Sequence, residues 1–259
     1  MDDQILKPGD RDYVGALAAG LEVLQSFDAG HPRMTLSEVA ARANIDRAKA
    51  RRFLLTFHAL GFVKRTGRQF ELTPRVLKLG YAYQASNQYR AAIQQYLKEV
   101  TAELGESSSL AVLDGNEVVY VVRSAARHRL MAITLSVGAR LPAAYTSMGR
   151  VLLGQLPEAE IDGFLAKVEL QAFTPFSVTT RQALKEKILT ARDLGYAIVD
   201  QELDSGLRSV ALPMFTGNGD LLGAVNISTN AARVSLETLQ RVYLPRLREV
   251  AGNIRQLRT

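Results

Sequence analysis

The chain has no cysteine, only three histidines and no long apolar segment. The lack of cysteine excludes disulfides and thiolate metal sites and fits a reducing compartment. His31, His58 and His128 are too widely spaced to suggest a histidine zinc site. No apolar run approaches the ~20 residues that a membrane span needs. Asp2 and Asp3 stand where a signal peptide would be basic. We therefore expect a cytoplasmic protein with no cofactor, no metal and no membrane partner.

Positive charge is concentrated in one segment of the chain. Residues 31–75 carry ten Lys/Arg against three Asp/Glu, a net charge of +7, whereas the remainder carries 22 bases and 23 acids. Basicity confined in this way indicates a module that binds a polyanion, whereas a diffuse excess would affect only solubility. The length of 259 residues is ample for two domains.

The basic segment shows the layout of a winged helix-turn-helix. Apolar residues at helical spacing predict a first helix over 13–27. Thr35 and Glu38 form a capping box that opens a short second helix. Asp46 is the expected N-cap of a third helix that ends near residue 60. Two alternating runs around a glycine turn then predict a basic β-hairpin over 62–72, which completes the motif.

The third helix has an apolar side and an arginine-rich side, which suits insertion into the major groove of DNA. The basic hairpin would reach the backbone or the minor groove beside it. The residues expected to contact DNA are Arg47, Lys49, Arg51, Arg52, Lys64, Arg65 and Arg68. For any one of these residues, a solvated basic face is the alternative. The capped helix pair, the localised charge and the hairpin agree with each other, and together they favour DNA binding.

Beyond the hairpin, strands and helices alternate. Pro74 predicts a linking helix over 74–89, and another helix follows over 90–104. Expected strands cover 110–113, 118–123, 130–137, 196–200, 208–215 and 221–228, and expected helices follow Arg150 and Pro157 and cover 181–194 and 235–257. This order predicts an α+β fold with a largely antiparallel sheet. The expected domains are a disordered tail (1–12), the winged helix-turn-helix (13–73), the linker helix (74–89) and an effector-binding and oligomerisation domain (90–257).

Several segments, in order along the chain, resemble the IclR (isocitrate lyase regulator) family. Residues 13–27, Leu36–Ala40, the arginine-rich third helix, Leu60–Phe62 and Phe70–Leu72 resemble its DNA-binding half. The segments that resemble its effector domain are Leu113–Gly115, Gly138–Pro142, Thr146–Arg150, Gly195–Tyr196, Glu202–Ser209 and Asn226–Ser228. The likeness spans about residues 13–255. Residues 145–150 and 200–209 look most like the subgroup that controls aromatic-acid breakdown through the β-ketoadipate pathway.

The resemblance implies a GAF-like effector fold, dimers or tetramers, and one small carboxylate ligand per subunit. In the family's pocket a loop before a helix offers backbone amides, which correspond here to Ser147 and Met148. Two late strands complete the pocket, and their residues correspond to Ser209, Asn226 and Ser228. One family position that can be acidic corresponds to Val199. A bulkier or less polar ligand is therefore expected here.

The residues themselves support this pocket in part. Ser147 stands at an expected N-cap, and a helix N-terminus favours an anion. Arg150 and Arg208 are candidates for charge-assisted bonds to a carboxylate, and Tyr145 and Met148 for the walls around an aromatic ring. The alternatives are that Ser147 only caps its helix, that Met148 belongs to the core, and that Arg208 makes a structural ion pair.

Nothing in the sequence favours catalysis. His128 is the only histidine outside the DNA-binding half, and it lies between two arginines. There is no Gly-x-Ser-x-Gly elbow, no phosphate-binding glycine loop and no metal cluster. Glu202 and Asp204 are more readily explained as structural. We therefore expect no enzymatic activity.

The function predicted from the sequence is sequence-specific regulation of transcription in response to a small carboxylate metabolite. The expected effector is an aromatic acid or its ring-cleavage product, and the expected targets are genes of aromatic catabolism. The expected partners are double-stranded operator DNA, the effector, and further copies in a homodimer or dimer of dimers. The alternative is an architectural or constitutive DNA-binding protein whose second domain only oligomerises. Apolar residues in the linker, namely Val76, Leu77, Leu79 and Tyr83, suit a dimer interface.

Overall fold

The computed structural model describes residues 6–85, 89–126 and 135–257. The chain divides into two compact units, 1–86 and 87–259. Most of the strand expected at 130–137 lies outside the described residues, and 135–137 are not in a strand. In the described part of the expected tail, Asp10 N donates to Lys7 O at 3.0 Å, so this part contains a turn.

The first unit is a winged helix-turn-helix, as the sequence predicts. Its elements are α1 (Gly15–Gln25), β1 (Arg33–Thr35), α2 (Leu36–Arg42), α3 (Arg47–Ala59), β2 (Val63–Thr66), β3 (Gln69–Leu72) and α4 (Leu77–Ala85). The strands form an antiparallel sheet in the order β1-β3-β2. The three-residue strand β1 was not expected from the sequence. Gly67, in the turn between β2 and β3, has a φ of +61°, which glycine adopts without strain.

The caps expected for α2 and α3 are confirmed. Glu38 N donates to Thr35 Oγ1, and Thr35 N donates to Glu38 Oε2 at 2.6 Å, which completes the capping box. Lys49 N donates to Asp46 Oδ1 at 2.8 Å at the start of α3. Both helices therefore begin where side chains replace the missing backbone acceptors.

The apolar residues whose spacing predicts α1 are not all on the buried side of that helix. Val14 and Leu17 are each 63% exposed, and Leu21 is also exposed. The buried side of α1 instead carries Gly20 and Val23. A Cβ added at position 20 would lie in contact with the rings of two α3 phenylalanines, so the absence of a side chain allows close approach.

The second unit is an α+β structure built on six antiparallel strands. Its elements are α5 (Tyr89–Leu104), β4 (Ser107–Asp114), β5 (Glu117–Ser124), β6 (Arg140–Pro142), α6 (Ser147–Gly154), α7 (Glu158–Lys167), α8 (Arg181–Leu194), β7 (Ala197–Asp200), β8 (Leu207–Phe215), β9 (Leu221–Asn230), α9 (Leu236–Thr238) and α10 (Leu244–Gln256). The strand order is β6-β5-β4-β9-β8-β7. The expected α+β class with an antiparallel sheet is confirmed.

Helices cover both faces of this sheet. α5 and α10 pack on one face, where the core is built mainly from Leu, Val, Ile and Met; we call it the aliphatic face. α6 packs on the other face and α8 packs on α6. On the central strands β4, β9 and β8 the positions on this second face are mostly Ala and Ser, and we call it the small-residue face. The middle of the sheet is thus enclosed on both sides.

The C-terminal segment is divided as the proline at 245 suggests. Ser235 caps α9, a π-helical turn follows at Leu239–Tyr243, and α10 carries Pro245 in its first turn. The linker before the second unit is also divided, because Pro74–Val76 forms a 3₁₀ turn ahead of α4. Among the described residues, none of the helices has the length and apolarity to cross a membrane.

Candidate DNA-binding and effector-binding sites

A basic cleft lies between α3 and the β2–β3 hairpin of the first unit. It has a volume of about 410 Å³, and arginines from both elements line it together with Leu55 and Phe70. The cleft arginines are Arg47, Arg51, Arg65 and Arg68. All four are exposed. The ion pairs found among the described residues do not involve them, so their charge is available to an external polyanion.

The other expected DNA contacts are placed differently. Arg52 is exposed but lies outside the cleft lining, and Lys49 is half-buried. Lys64 is exposed on the hairpin and pairs with Glu71 at 3.1 Å. The carboxylate of Glu71 also accepts from Arg33 Nε at 2.5 Å, and these two partners lower the pKa of Glu71, Lys64 having the larger effect. Four of the seven expected residues therefore converge on one surface.

In the second unit, α6 begins over the small-residue face. Its N-cap is Thr146, whose Oγ1 accepts from Gly149 N at 3.0 Å. The expectation that Ser147 is the N-cap is therefore wrong, because Ser147 is already the first helical residue. A Cβ at Gly149 would collide with the backbone of Ala143, so only glycine permits this tight entry into the helix.

Ser147 instead makes a contact across to the sheet. Its Oγ lies 2.9 Å from Ser209 Oγ on β8, and both residues are buried. Ser209 is the register partner of Ser228 on β9, and Asn226 Nδ2 donates to Ser228 Oγ at 2.9 Å. The structure thus brings together four of the expected effector residues. On the far side of Ser209, its partner on β7 is the buried Val199.

Arg150 does not face this group of hydroxyls as a free cation. Its guanidinium forms two hydrogen bonds with the carboxylate of Glu202, one of them 2.8 Å between Nη1 and Oε1. Its Nε donates to Ala144 O at 3.2 Å. Arg150 is 1% exposed and Glu202 4% exposed, so the pair is internal. A structural role accounts for every one of these contacts, contrary to the expected carboxylate-binding role.

Arg208 is likewise committed to structural partners. It binds both carboxylate oxygens of Asp200 at 2.8 Å and donates through Nη1 to Val234 O at 2.6 Å. The ion pair that the sequence left as an alternative for Arg208 is present. The geometry therefore does not support a direct effector contact by this residue.

Tyr145 and Met148 belong to the core beneath α6. Met148 is fully buried. The Tyr145 hydroxyl accepts from Gln171 N at 2.6 Å, and its ring meets Phe173 edge-on with centroids 5.0 Å apart. Both residues border the small-residue face from the helix side. The core position that the sequence left open for Met148 is what the structure shows.

Arg123, at the end of β5, is a cation that sequence reasoning missed. It pairs in register with Ser109, and its Nη1 donates to Ser109 Oγ at 3.0 Å. Its guanidinium lies 6.0 Å from the ring centroid of Tyr120. Burial lowers the pKa of Arg123, opposed by Tyr120, and burial raises the pKa of Tyr120 to about 12. An arginine closing an apolar strand was the available signal.

We group these side chains as the effector patch. It comprises Ser109, Arg123, Ser147, Ser209, Asn226 and Ser228. Ser109 is the register partner of both Arg123 and Asn226, which places these three in one row across β5, β4 and β9. Among the described residues no group of three or more His, Cys, Asp or Glu side chains could hold a metal ion. The chemistry offered here is hydrogen bonding and one positive charge.

Comparison with protein families gives matches over both units. The family model described as the C-terminal domain of the bacterial transcriptional regulator IclR matches residues 81–256. The IclR helix-turn-helix domain model matches residues 16–67.

Similar proteins cover nearly the whole chain. The Pca regulon regulatory protein of Pseudomonas putida is 38% identical over 92% of this chain and 81% of its own length. The p-hydroxybenzoate hydroxylase transcriptional activator of Acinetobacter baylyi is 33% identical over 95% and 92%. A solved transcriptional regulator from Rhodococcus sp. RHA1 has a TM-score of 0.80 and 46% identity, over 94% and 98% of the two chains.

A further solved structure resembles the second unit. It is the inducer-binding domain of a double mutant of the PobR transcription factor from Acinetobacter, in complex with 3-hydroxybenzoic acid. Its TM-score to this chain is 0.60 and its identity 29%, over 65% of this chain and 98% of that one.

Proposed function

The chain belongs to the IclR family of bacterial transcriptional regulators, and from this premise we propose that it is an aromatic-acid-responsive regulator. The first unit binds operator DNA through the cleft between α3 and the hairpin. The second unit binds a small aromatic carboxylate in the effector patch. The regulated genes are those of aromatic catabolism, and the protein acts in the cytoplasm.

The observation that carries the effector half of this proposal is the enclosed polar group beneath α6. Hydroxyls from a helix and two strands converge there, beside the apolar core cluster beneath α6. Few polar groups set in apolar surroundings are typical of small-molecule sites. The relatives support the ligand class, because their names refer to p-hydroxybenzoate metabolism and to bound 3-hydroxybenzoic acid.

The DNA half rests on the cleft arginines. Their guanidinium groups can hold phosphates and read guanine edges, and a helix of this kind fits the major groove. A pseudo-palindromic operator with half-sites about one helical turn apart would match a dimer. The exposed apolar side chains Leu77, Leu79 and Tyr81 on α4 support assembly into a homodimer or a dimer of dimers.

An effector can change DNA affinity only if it binds two arrangements of the protein with different affinities. The proposed regulation is therefore an equilibrium between a DNA-competent and a DNA-poor form. The effector favours one of them, and DNA favours or disfavours the effector by the same factor.

Fluorescence anisotropy on the gene's own upstream DNA tests the proposal. A scrambled duplex is the control, at two salt concentrations, with and without 4-hydroxybenzoate, protocatechuate and their ring-cleavage products. We expect selective, salt-sensitive binding that at least one acid alters. Equal weak binding to both duplexes would overturn the regulator proposal. Selective binding that no acid alters would favour the constitutive alternative.

Two substitutions separate the halves of the proposal. Arg51→Ala should weaken operator binding about tenfold or more, since it removes a cleft cation. Arg140→Ala is the matched control, because Arg140 is an arginine of the second unit paired with Glu117 and Asp114. Ser228→Ala should leave DNA affinity unchanged and weaken the effect of the acid. An unchanged effector affinity in Ser228→Ala would contradict the assignment of the patch.

A further inference from the structure

A polar cluster is buried at one end of the aliphatic face, beside a core that is otherwise mainly hydrocarbon. Glu106, between α5 and β4, is 3% exposed, and Thr229 near the end of β9 is fully buried. Thr229 Oγ1 donates to Glu106 Oε1 at 2.8 Å, and Arg233 Nη2 donates to the two oxygens of the same carboxylate at 2.8 and 3.1 Å. Because a buried ion pair often adds no more stability than hydrocarbon of the same volume, stability alone does not explain this cluster.

The chain entering β4 carries three consecutive buried polar residues, and each is bonded to a different part of the second unit. The Glu106 carboxylate is bound to β9. Ser107 Oγ accepts from Ala126 N, just beyond the end of β5, at 3.0 Å. Ser108 Oγ donates to Leu97 O on α5 at 2.9 Å. This segment therefore fastens α5 to β5 and β9, two strands that carry residues of the effector patch.

The cluster lies directly behind the effector patch, on the other side of the same strand. One patch residue, Ser228, is the register partner of Ser107, and Thr229 follows it on β9. Successive residues of a strand point to opposite faces, so Ser228 points to the small-residue face and Thr229 to the aliphatic face. A ligand that moves β9 at Ser228 therefore also moves the hydrogen-bond partner of Glu106.

Helix α5 leads from this cluster along the chain toward the linker. Gly105, with a φ of +69°, follows α5 and directly precedes Glu106. At its other end α5 begins at Tyr89, and the linker helix α4 ends at Ala85. A helix of 16 residues is a stiff element about 24 Å long. A shift at the C-terminal end of α5 is therefore carried to the end that follows the linker in sequence.

We propose that the hydrogen bond between Thr229 and Glu106, anchored by Arg233, couples the effector patch to α5, so that a ligand in the patch changes DNA affinity through this cluster. Glu106 and Thr229 are positioning residues, because they lie on the opposite face of the sheet from the ligand. This inference rests on the proposed function, since it concerns how the same site regulates DNA binding. It gives a role to a buried carboxylate that neither the DNA cleft nor the effector patch uses.

The coupling factor of the full chain tests this proposal. It is the ratio of the dissociation constants for the upstream duplex without and with a saturating aromatic acid. Fluorescence anisotropy gives this ratio, with 4-hydroxybenzoate and protocatechuate as the probes. Isothermal titration gives the dissociation constant of each acid, and urea denaturation gives the stability of each variant. The wild type should show a coupling of about fivefold or more with at least one probe.

Thr229→Val removes the hydroxyl that joins β9 to the cluster and leaves the ion pair between Glu106 and Arg233 in place. It should bring the coupling factor at least about threefold closer to 1 and change the dissociation constant of the acid less than about twofold. The triple variant Glu106→Leu, Thr229→Val, Arg233→Met should abolish the coupling without loss of stability. Glu103→Gln is the matched control and should keep the coupling, because Glu103 ends α5 too but binds Arg246 on α10 at 2.8 Å.

The outcomes separate this inference from the proposed function. If the wild type responds to an acid and Thr229→Val keeps the full coupling factor, the cluster is only structural, and the inference is wrong while the proposed function stands. An equal loss of coupling in Glu103→Gln also overturns the inference, because any change at the end of α5 would then have the same effect. If neither acid alters DNA binding by the wild type, the proposed regulation fails, and the inference fails with it.

Discussion

The two faces of the six-stranded sheet are built from the same strands but from different kinds of residue. Val210, Val225 and Ile227 point to the aliphatic face, and all three are fully buried. Their chain neighbours Ser209 and Asn226 point to the small-residue face. The aliphatic face is packed with hydrocarbon side chains, whereas the small-residue face retains hydrogen-bonding groups.

This difference indicates that the aliphatic face stabilises the fold, whereas the small-residue face carries the groups that could recognise a ligand. Each fully buried aliphatic side chain stabilises the fold by about 1.5–3 kcal/mol relative to exposure. The unpaired atoms of Arg123 and Asn226 act in the opposite direction. The free energy gained by burying aliphatic side chains on one face must therefore offset the cost of the unpaired polar atoms on the other. Such a local cost is the pattern expected at a ligand site.

The largest effect on stability is expected from placing a polar side chain on the aliphatic face. Ile227→Asn places an amide on the aliphatic face, where it loses the burial of a large side chain and has no ready partner. The free energy of unfolding should fall by about 4 kcal/mol or more, measured by urea denaturation. Asn226→Leu is the mirror control and should change stability by less than about 1 kcal/mol, since removing the unpaired acceptor offsets the loss of the hydrogen bond to Ser228. Similar losses in both variants would remove the distinction between the faces.

The next effect concerns the internal ion pair beside the small-residue face. Glu202→Gln leaves the Arg150 guanidinium buried without its counter-charge and should lower the free energy of unfolding by about 3–5 kcal/mol. The double variant Arg150→Met with Glu202→Leu should recover most of this loss, because it removes both charges.

Asp200→Asn gives the matched comparison for this ion pair. The side chain of Asp200 is 32% exposed and that of Glu202 6% exposed. Water therefore screens the Asp200–Arg208 pair more strongly than the Glu202–Arg150 pair. The loss of stability in Asp200→Asn should therefore be smaller than in Glu202→Gln. A larger loss would mean that burial does not set the strength of these pairs.

Local rules predicted most elements of the fold and failed where tertiary contacts decide. The helix over 181–194 and the capping box at Thr35 follow from side chains close in sequence, and both are present. In α1 the apolar residues lie on more than one side of the helix. Periodicity alone therefore did not show that Val14 and Leu17 are exposed.

The site was harder to predict because a β-bulge changes the phase of β5. Strict alternation places Tyr120 and Arg123 on opposite faces. The register shifts between Leu110 and Ala111, so that Val121 is an extra residue on β5 and Arg123 joins Tyr120 on the small-residue face. Nothing in the sequence marks this bulge. The ion pair between Arg150 and Glu202 was not foreseen either, because the two residues are 52 positions apart in the sequence.

The smallest effect is expected at the hydroxyl pair between α6 and the sheet. Ser147→Ala or Ser209→Ala leaves one buried hydroxyl unpaired, and each should cost about 1 kcal/mol of stability. The double variant should lose no more than either single variant, because no orphaned hydroxyl remains. Chemical denaturation of the three variants gives this coupling energy directly. Strictly additive losses would show that the two serines do not act as a pair, and that the small-residue face draws no stability from this contact.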